Sequence, residues 1–190
     1  MAQADKEKWN RRYKNNPIPD IPIKIVTDYA KKEATVKKAL DIAAGMGRNS
    51  KYLASIGFEV DALDISSLAI ESLQNIANIN AKEVDFDTYI LPTDRYDLIV
   101  CTYFLKRELF PQIIAALKEN GILIYETFVY HPKNEQTPSE RSFLLEEGEL
   151  ENAFKDDLAI IKSSEYWHET IKGKMMKKAS IVAKKQNNKH

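Results

Sequence analysis

Lys38-Ala39-Leu40-Asp41-Ile42-Ala43-Ala44-Gly45-Met46-Gly47-Arg48-Asn49-Ser50 is the stretch whose reading decides the fold. An apolar run ends in small residues, two glycines follow at alternate positions, and a helix is expected from Arg48 to about Ser55. This strand, glycine turn and helix form the layout that holds nucleotide-like ligands at a helix N-terminus. A Cβ at either glycine would keep the backbone away from a ligand or oppose a positive φ. Further on, Val60-Asp61-Ala62-Leu63-Asp64-Ile65-Ser66 reads as a second strand ending in an acid. An acid at that place accepts hydrogen bonds from ribose hydroxyls.

The residues also narrow the ligand. A dinucleotide-binding turn reads Gly-x-Gly-x-x-Gly, and here Ser50 takes the third glycine's place. Asp41 lies inside the first strand's apolar run, an expensive position for an unpaired carboxylate. An anionic pyrophosphate gives that carboxylate no purpose; a cationic ligand does. S-adenosylmethionine carries a sulfonium and an α-amino group and has no phosphate. Two other classes stand beside this reading. An NAD(P)-dependent oxidoreductase is opposed by Ser50 and Asp41, whereas a cofactor-binding protein without turnover is compatible with the same turn.

On these residues the chain resembles the class I S-adenosylmethionine-dependent methyltransferases, and within them the tellurite-resistance-type branch that acts on small molecules. The class pattern is Asp/Glu-x-Gly-x-Gly-x-Gly. Asp41, Gly45 and Gly47 match it, and Ala43 stands where the first glycine usually does. Gly47-Arg48-Asn49, Tyr52-Leu53-Ala54 and Gly57-Phe58-Glu59-Val60 are narrower and carry the likeness to the branch, which runs from Trp9 to about Lys185.

The resemblance implies a Rossmann-like α/β fold: a seven-stranded, mostly parallel sheet with the last strand antiparallel and helices on both faces. It implies S-adenosyl-L-methionine as cofactor, with S-adenosyl-L-homocysteine as product. It also implies contacts from Asp41, Ala43, Gly45, Gly47, Arg48 and Asn49, from Asp64 and Ile65, from Asp85 and Phe86 at the adenine, and from Thr102 and Tyr103 near the methionine end. Asp87 competes with Asp85 for the adenine role. Trp9, Arg12 and Tyr13 fall at i, i+3 and i+4 on one face of a short helix. In this branch a Trp-Asn-x-Arg-Tyr segment lies over the cofactor, and a lid of that kind excludes water; the same spacing serves a helix that is merely packed. The candidates for catalysis are Tyr103 and His168, which read equally as a core aromatic and a solvent-facing histidine.

Strands and helices alternate along the rest of the chain, as in a parallel sheet with right-handed crossovers. Strands are expected over Lys38–Ala43, Glu59–Asp64, Ile79–Val84, Tyr96–Thr102, Ile122–Phe128, Leu158–Glu169 and Met176–Ala183. Helices are expected from Ser66 or Ser67 to about Ala77, from Pro111 to about Lys118, and over Glu146–Phe154. Asn120-Gly121 reads as a helix stop, and Lys172-Gly173-Lys174 as the turn of an antiparallel edge hairpin. The expected organisation is an N-terminal helical lid segment (1–34), a methyltransferase domain (35–185) and a disordered tail (186–190).

Composition excludes several classes. The chain has 190 residues, 44% hydrophobic and 29% charged, enough for one substantial core. Its 28 Lys and Arg balance 28 Asp and Glu, so no global field draws it to nucleic acid. No Asn/Asp-Pro-Pro-Tyr/Phe motif for base methylation follows the fourth strand. One cysteine and three scattered histidines give no metal-ligand spacing, and no phosphate-binding Gly-x-x-x-x-Gly-Lys-Ser/Thr loop occurs. No apolar run reaches the ~20 residues of a membrane span, and the first residues lack a secretory pattern, so a cytoplasmic protein is expected. It would act, as monomer or homodimer, on a small-molecule methyl acceptor. Tellurite, selenite or a thiol-like soft nucleophile fits the resemblance.

Overall fold

The computed structural model describes residues 2–15, 19–33, 38–136, 138, 140–170 and 172–186. Residues 187–190 of the expected tail lie outside the described residues, as do 16–18 and 34–37 around the expected boundary between lid and domain.

Helices α1 (Ala2–Asn15) and α2 (Lys24–Glu33) precede β1 (Lys38–Ile42), α3 (Arg48–Ser55), β2 (Glu59–Asp64), α4 (Ser67–Leu73), β3 (Ile79–Glu83) and β4 (Tyr96–Thr102). Then come α5 (Phe110–Ala116), β5 (Leu117–Phe128), α6 (Glu149–Asn152), β6 (Leu158–Glu169) and β7 (Met175–Lys185). The strands form one sheet in the order β3-β2-β1-β4-β5-β7-β6. Strands β1 to β5 are parallel to one another, and β7 runs antiparallel to both β5 and β6. The Rossmann-like arrangement is therefore present, with the last strand reversed.

Alternation along each strand divides the core in two. Leu40 and Ile42 of β1, Ile99 of β4, Leu123 of β5 and Ile181 of β7 point to the side packed by Ile113 and Ala116 of α5. Ala39, Leu98, Val100, Ile122, Ile124 and Val182 point to the other, where Ile25, Val26 and Ala30 of α2 and Leu53 of α3 cover them. Buried on both faces, the central strands read as continuous apolar runs.

Several boundaries differ from the sequence expectation. Helix α2 is not anticipated above, although Ile25, Val26, Tyr29 and Ala30 repeat at helical spacing; Pro19 and Pro22 just before it disguise that stripe. Helix α4 stops at Leu73 rather than near Ala77, because Gln74 is extended and Asn75 takes φ 67°. Helix α5 stops at Ala116, and Leu117 already pairs with Tyr96. Asn120, at φ 64°, and Gly121 therefore lie within β5 rather than at a helix end. A Cβ on Gly121 would sit 2.8 Å from the Lys118 carbonyl and 2.9 Å from that of Tyr96, so the irregular pairing there needs glycine. Helix α6 keeps only Glu149–Asn152 of the expected Glu146–Phe154, since Gly148 at φ 73° breaks the chain before it.

Candidate cofactor and acceptor site

The carboxyl ends of β1, β2, β3, β4 and β5 share one edge of the sheet, where open α/β folds bind ligands. Antiparallel β7 begins at this edge and β6 ends there, which brings Lys178 and Tyr166 to it as a register pair.

The glycine turn joins β1 to α3. Ala43, Gly45 and Gly47 have φ of 53°, 55° and 79°. For Ala43 the left-handed conformation costs roughly 1–2 kcal/mol, a strain that a glycine there would not carry. The two glycines serve different neighbours. A Cβ on Gly45 would lie 2.8 Å from Tyr13 Oη, whereas one on Gly47 would lie 2.3 Å from Leu73 Cδ2. Gly47 thus lets α4 pack against the turn, and both glycines take the positive φ that the sequence reading expects of them.

Asp41 is 1% exposed and accepts a hydrogen bond from Ser50 Oγ at 2.6 Å. Burial pushes its carboxyl up from 3.8 to about 7, with the Ser50 hydrogen bond and Arg48 opposing. Asp64 accepts from the backbone N–H of Gly45 and of Ser66, each at 2.8 Å. Its carboxyl too is raised by burial, against those backbone hydrogen bonds. Asn49 is buried and used at both ends: its Nδ2 donates to Thr102 Oγ1 at 2.9 Å, and its Oδ1 accepts from Ile23 N–H at 3.0 Å. It ties α3 to β4 and to the chain entering α2.

Beyond the ends of β2 and β3, Ile65, Glu83, Val84 and Asp85 line a cavity of about 170 Å³ closed by Gln3 and Lys6 of α1. Asp85 turns inward on its own loop, accepting from Asp87 N–H at 2.9 Å. Asp87 is instead engaged by Lys106 at 2.7 Å. Phe86 is buried, with its ring 5.4 Å from that of Phe104.

Helix α1 lies over this edge. Trp9 stacks on Tyr13 at 5.6 Å, and the Arg12 guanidinium sits 5.2 Å from the Trp9 ring centre. Burial, with Asp64 next, raises the Tyr13 hydroxyl pKa. What anchors the helix is a residue not singled out above. Asn10 Oδ1 accepts from Ser66 Oγ at 2.6 Å and from Leu68 N–H at 3.3 Å, while its Nδ2 donates to Ser67 Oγ at 3.1 Å. Its place between Trp9 and Arg12 was the available signal.

At the end of β4, Tyr103 takes φ 58°. That conformation is an outlier for a bulky side chain and costs about 1–3 kcal/mol. Its ring stacks on Phe128 at 5.1 Å, with the Arg48 guanidinium 5.0 Å from its centre. Its hydroxyl donates to Glu126 Oε1 at 2.9 Å and accepts from Lys178 Nζ at 2.6 Å. Tyr166 donates to Glu126 Oε2 at 2.7 Å. Burial raises both phenols and lowers Lys178. Glu126, Lys178 and Tyr166 went unrecognised in the sequence because each sits inside a strand pattern. The only hint was a charge amid the run Ile122–Phe128. His168 lies two residues beyond Tyr166 on β6, exposed, its pKa lowered by partial burial and then by Lys178.

A model of the family described as tellurite resistance protein TehB matches residues 5–177. The chain belongs to this family. A Haemophilus influenzae member, named a probable S-adenosyl-L-methionine-dependent methyltransferase TehB, is 33% identical over 129 residues. That match covers 63% of this chain and 45% of the relative, so the chain aligns with less than half of its length. The crystal structure of TehB from H. influenzae superposes with a TM-score of 0.74 at 26% identity, covering 95% of this chain and 67% of that one. A Methanosarcina mazei protein titled a SAM-dependent methyltransferase shares the fold, with a TM-score of 0.67 at 19% identity over 87% of this chain and 99% of that one. The family and the fold of these neighbours agree with the seven-stranded sheet described above.

Among the described residues no helix is long and apolar enough to cross a membrane.

Proposed function

We propose that the chain is an S-adenosylmethionine-dependent methyltransferase acting on a small molecule. The observation that carries this reading is Asp41, a buried carboxylate at the glycine turn with Ser50 Oγ as its hydrogen-bond donor. Such a group gains most from a cation placed beside it, because opposite charge stabilises the ionised form that burial penalises. The sulfonium and α-amino group of S-adenosylmethionine provide that charge, and a dinucleotide's pyrophosphate does not.

Asp41, Ala43, Gly45, Gly47, Arg48 and Asn49 would hold the methionine end. Asp64 and Ile65 would hold the ribose, Asp85 and Phe86 the adenine, and Thr102 and Tyr103 the side facing the acceptor. When bound, the cofactor supplies a methyl group on a sulfonium whose leaving thioether is neutral. The residues around it need therefore supply mainly alignment and a dry pocket.

Within the expected lid segment 1–34, α1 acts as the lid, while α2 belongs to the core of the domain. The cavity between α1 and the sheet edge, about 170 Å³, is smaller than the roughly 300–1,000 Å³ of small-molecule sites. With Tyr13 seated on Gly45, α1 has to move for a ligand of nucleoside size to enter. Trp9, Arg12 and Tyr13 then close over it. His168 stands at the acceptor side with Tyr103. The acceptor is a soft nucleophile such as a thiol, selenite or tellurite; the family description and the lack of any need for a strong base support that choice.

Titration calorimetry tests the reading. S-adenosylhomocysteine should bind and NADH should not; NADH binding more tightly would overturn it.

A further inference from the structure

Strand β6 ends the sheet on one side, and among the described residues no strand pairs with its outer edge. It spans Leu158–Glu169, 12 residues against the roughly 5–6 of an ordinary strand. A long free edge offers unpaired backbone groups to another chain, and proteins ordinarily guard it. The guards here are slight. The ladder with β7 shifts register between Ile160 and Lys162, and from Lys162 to Glu169 it runs without interruption.

The neighbours of β7 fix which backbone groups that edge presents. Val129 N–H donates to the Lys177 carbonyl at 2.9 Å, and Lys177 N–H donates to Asn134 Oδ1 at 2.8 Å. Lys177 thus turns both of its backbone groups away from β6. Its register partner Trp167 is left in a non-hydrogen-bonded pair, with its own N–H and carbonyl turned outward. Alternation gives Glu165 and Ser163 the same outward direction.

The side chains select a partner and a register. Ile161 and Trp167 are 41% and 40% exposed, and Ile161 has no register partner on β7. Ser164 is the midpoint between them. A second copy laid antiparallel about a two-fold axis at Ser164 sets Ile161 opposite the partner's Trp167, Lys162 opposite the partner's Tyr166, and Ser163 opposite the partner's Glu165. Apolar meets apolar, a cation meets an aromatic ring, and the outward N–H and carbonyl groups of Ser163 and Glu165 meet one another. A slip of the axis to Glu165 would oppose two carboxylates, and a slip to Ser163 would set Ile161 against the partner's Glu165. A slip by half a step would bring outward-facing backbone groups against inward-facing ones.

We propose that the chain forms a symmetric homodimer by antiparallel pairing of β6 about Ser164, joining two seven-stranded sheets into one. The second copy also reaches the sheet-end cluster. Lys162 of the partner subunit stands across from Tyr166, whose hydroxyl donates to Glu126 at 2.7 Å. In its own chain the Lys162 ammonium lies 5.4 Å from the Tyr29 ring centre of α2, so it already faces the side of the sheet on which that pairing falls. The strands cross the axis antiparallel, so the two ligand edges point to opposite ends of the joined sheet. A single strand-to-strand seam is at the small end of specific interfaces, about 1,200 Å² or less, and the dimer should dissociate on dilution.

Sedimentation of the whole chain across a wide concentration range tests this. The mass should rise from 21.8 kDa toward twice that value. Ser163→Pro removes an outward N–H that β7 does not use, and should weaken association at least tenfold with secondary structure retained. Lys162→Ala should also weaken association; stronger association would mean that Lys162 guards the edge and would overturn the pairing. The register is read by oxidation. Ser164→Cys puts two thiols opposite each other and should give a disulfide-linked dimer, whereas Glu169→Cys, distant from its own copy, should not. The native Cys101 is buried and does not interfere. Cross-linking supports the pairing even if Ser163→Pro fails to fold. A monomer at every concentration, which would leave the edge to a different protein, overturns the inference. So does a dimer unaffected by Ser163→Pro, or one that cross-links through Glu169→Cys and not through Ser164→Cys.

Discussion

Asp64 Oδ2, at the end of β2, accepts a hydrogen bond at 2.8 Å from the backbone N–H of Gly45, 19 residues earlier in the chain. The two most legible motifs of the sequence thus hold each other. Its other oxygen takes the Ser66 N–H, at the residue whose hydroxyl caps α4 by accepting from Ala69 N–H. One carboxylate shapes both the glycine turn and the start of the next helix.

Asp64→Ala should therefore weaken both ligand binding and the fold. Read from sequence alone, the substitution would spare the fold, but it leaves two backbone N–H groups without their partner. Unfolding in urea should show a loss of about 1–3 kcal/mol. Calorimetry should show S-adenosylhomocysteine binding reduced at least tenfold. Unchanged stability would mean that water replaces the carboxylate at the turn.

The two glycines should separate. Gly47→Ala places a Cβ against Leu73 at positive φ and should destabilise the chain, and it should cost less in a chain that already carries Leu73→Ala. Gly45→Val, a β-branched residue at φ 55°, should cost at least the roughly 1–2 kcal/mol of left-handed strain, abolish cofactor binding and displace α1 through Tyr13. Ala43→Gly should go the other way: relief of the left-handed strain, less the added unfolded-state entropy, is worth up to about 1 kcal/mol. Thermal and urea unfolding of the single variants and the Gly47/Leu73 pair measure all of these.

Asp41 gives a pH dependence with a definite sign. Its folded pKa, raised to about 7, exceeds the ordinary 3.8. The folded state therefore holds a proton that the unfolded chain has released. The associated stability is fully present below about 3.8 and is lost as pH rises to about 7. Asp41→Asn should flatten that part of the stability profile and raise stability at pH 8. A cationic cofactor favours the ionised carboxylate, so binding near pH 6 should release a proton in wild type and none in Asp41→Asn. Calorimetry in buffers of different ionisation enthalpy counts that proton, and equal counts in the two proteins would remove Asp41 from the cation site.

Helix α1 should behave as a closing element. S-adenosylhomocysteine should slow hydrogen exchange and proteolysis over residues 5–15, and Asn10→Ala, which frees the helix from Ser66 and Ser67, should reduce that protection. Removing residues 1–14 should slow methyl transfer more than it lowers Tm. Normal turnover by the truncated chain would reduce the helix to packing.

Periodicity and turn chemistry in the sequence determined most of the strands and the glycine turn between β1 and α3. The strands Glu59–Asp64, Tyr96–Thr102 and Leu158–Glu169 and the helix Arg48–Ser55 stand where the residues put them. Their signals are local: an apolar run, a glycine that permits positive φ, a capping serine. Asp41, Gly45 and Asp64 were legible for the same reason, since their meaning depends on a few neighbours. The tertiary structure alone decided which atoms those residues touch. Gly47 answers to Leu73, and Asn10 to Ser66, because of how α1 and α4 pack. The grouping of Tyr103, Glu126, Tyr166 and Lys178 depends on the register of β5, β7 and β6. A one-residue slip would turn each of these side chains to the other face. No run of sequence records a pairing set between strands that lie far apart in the chain.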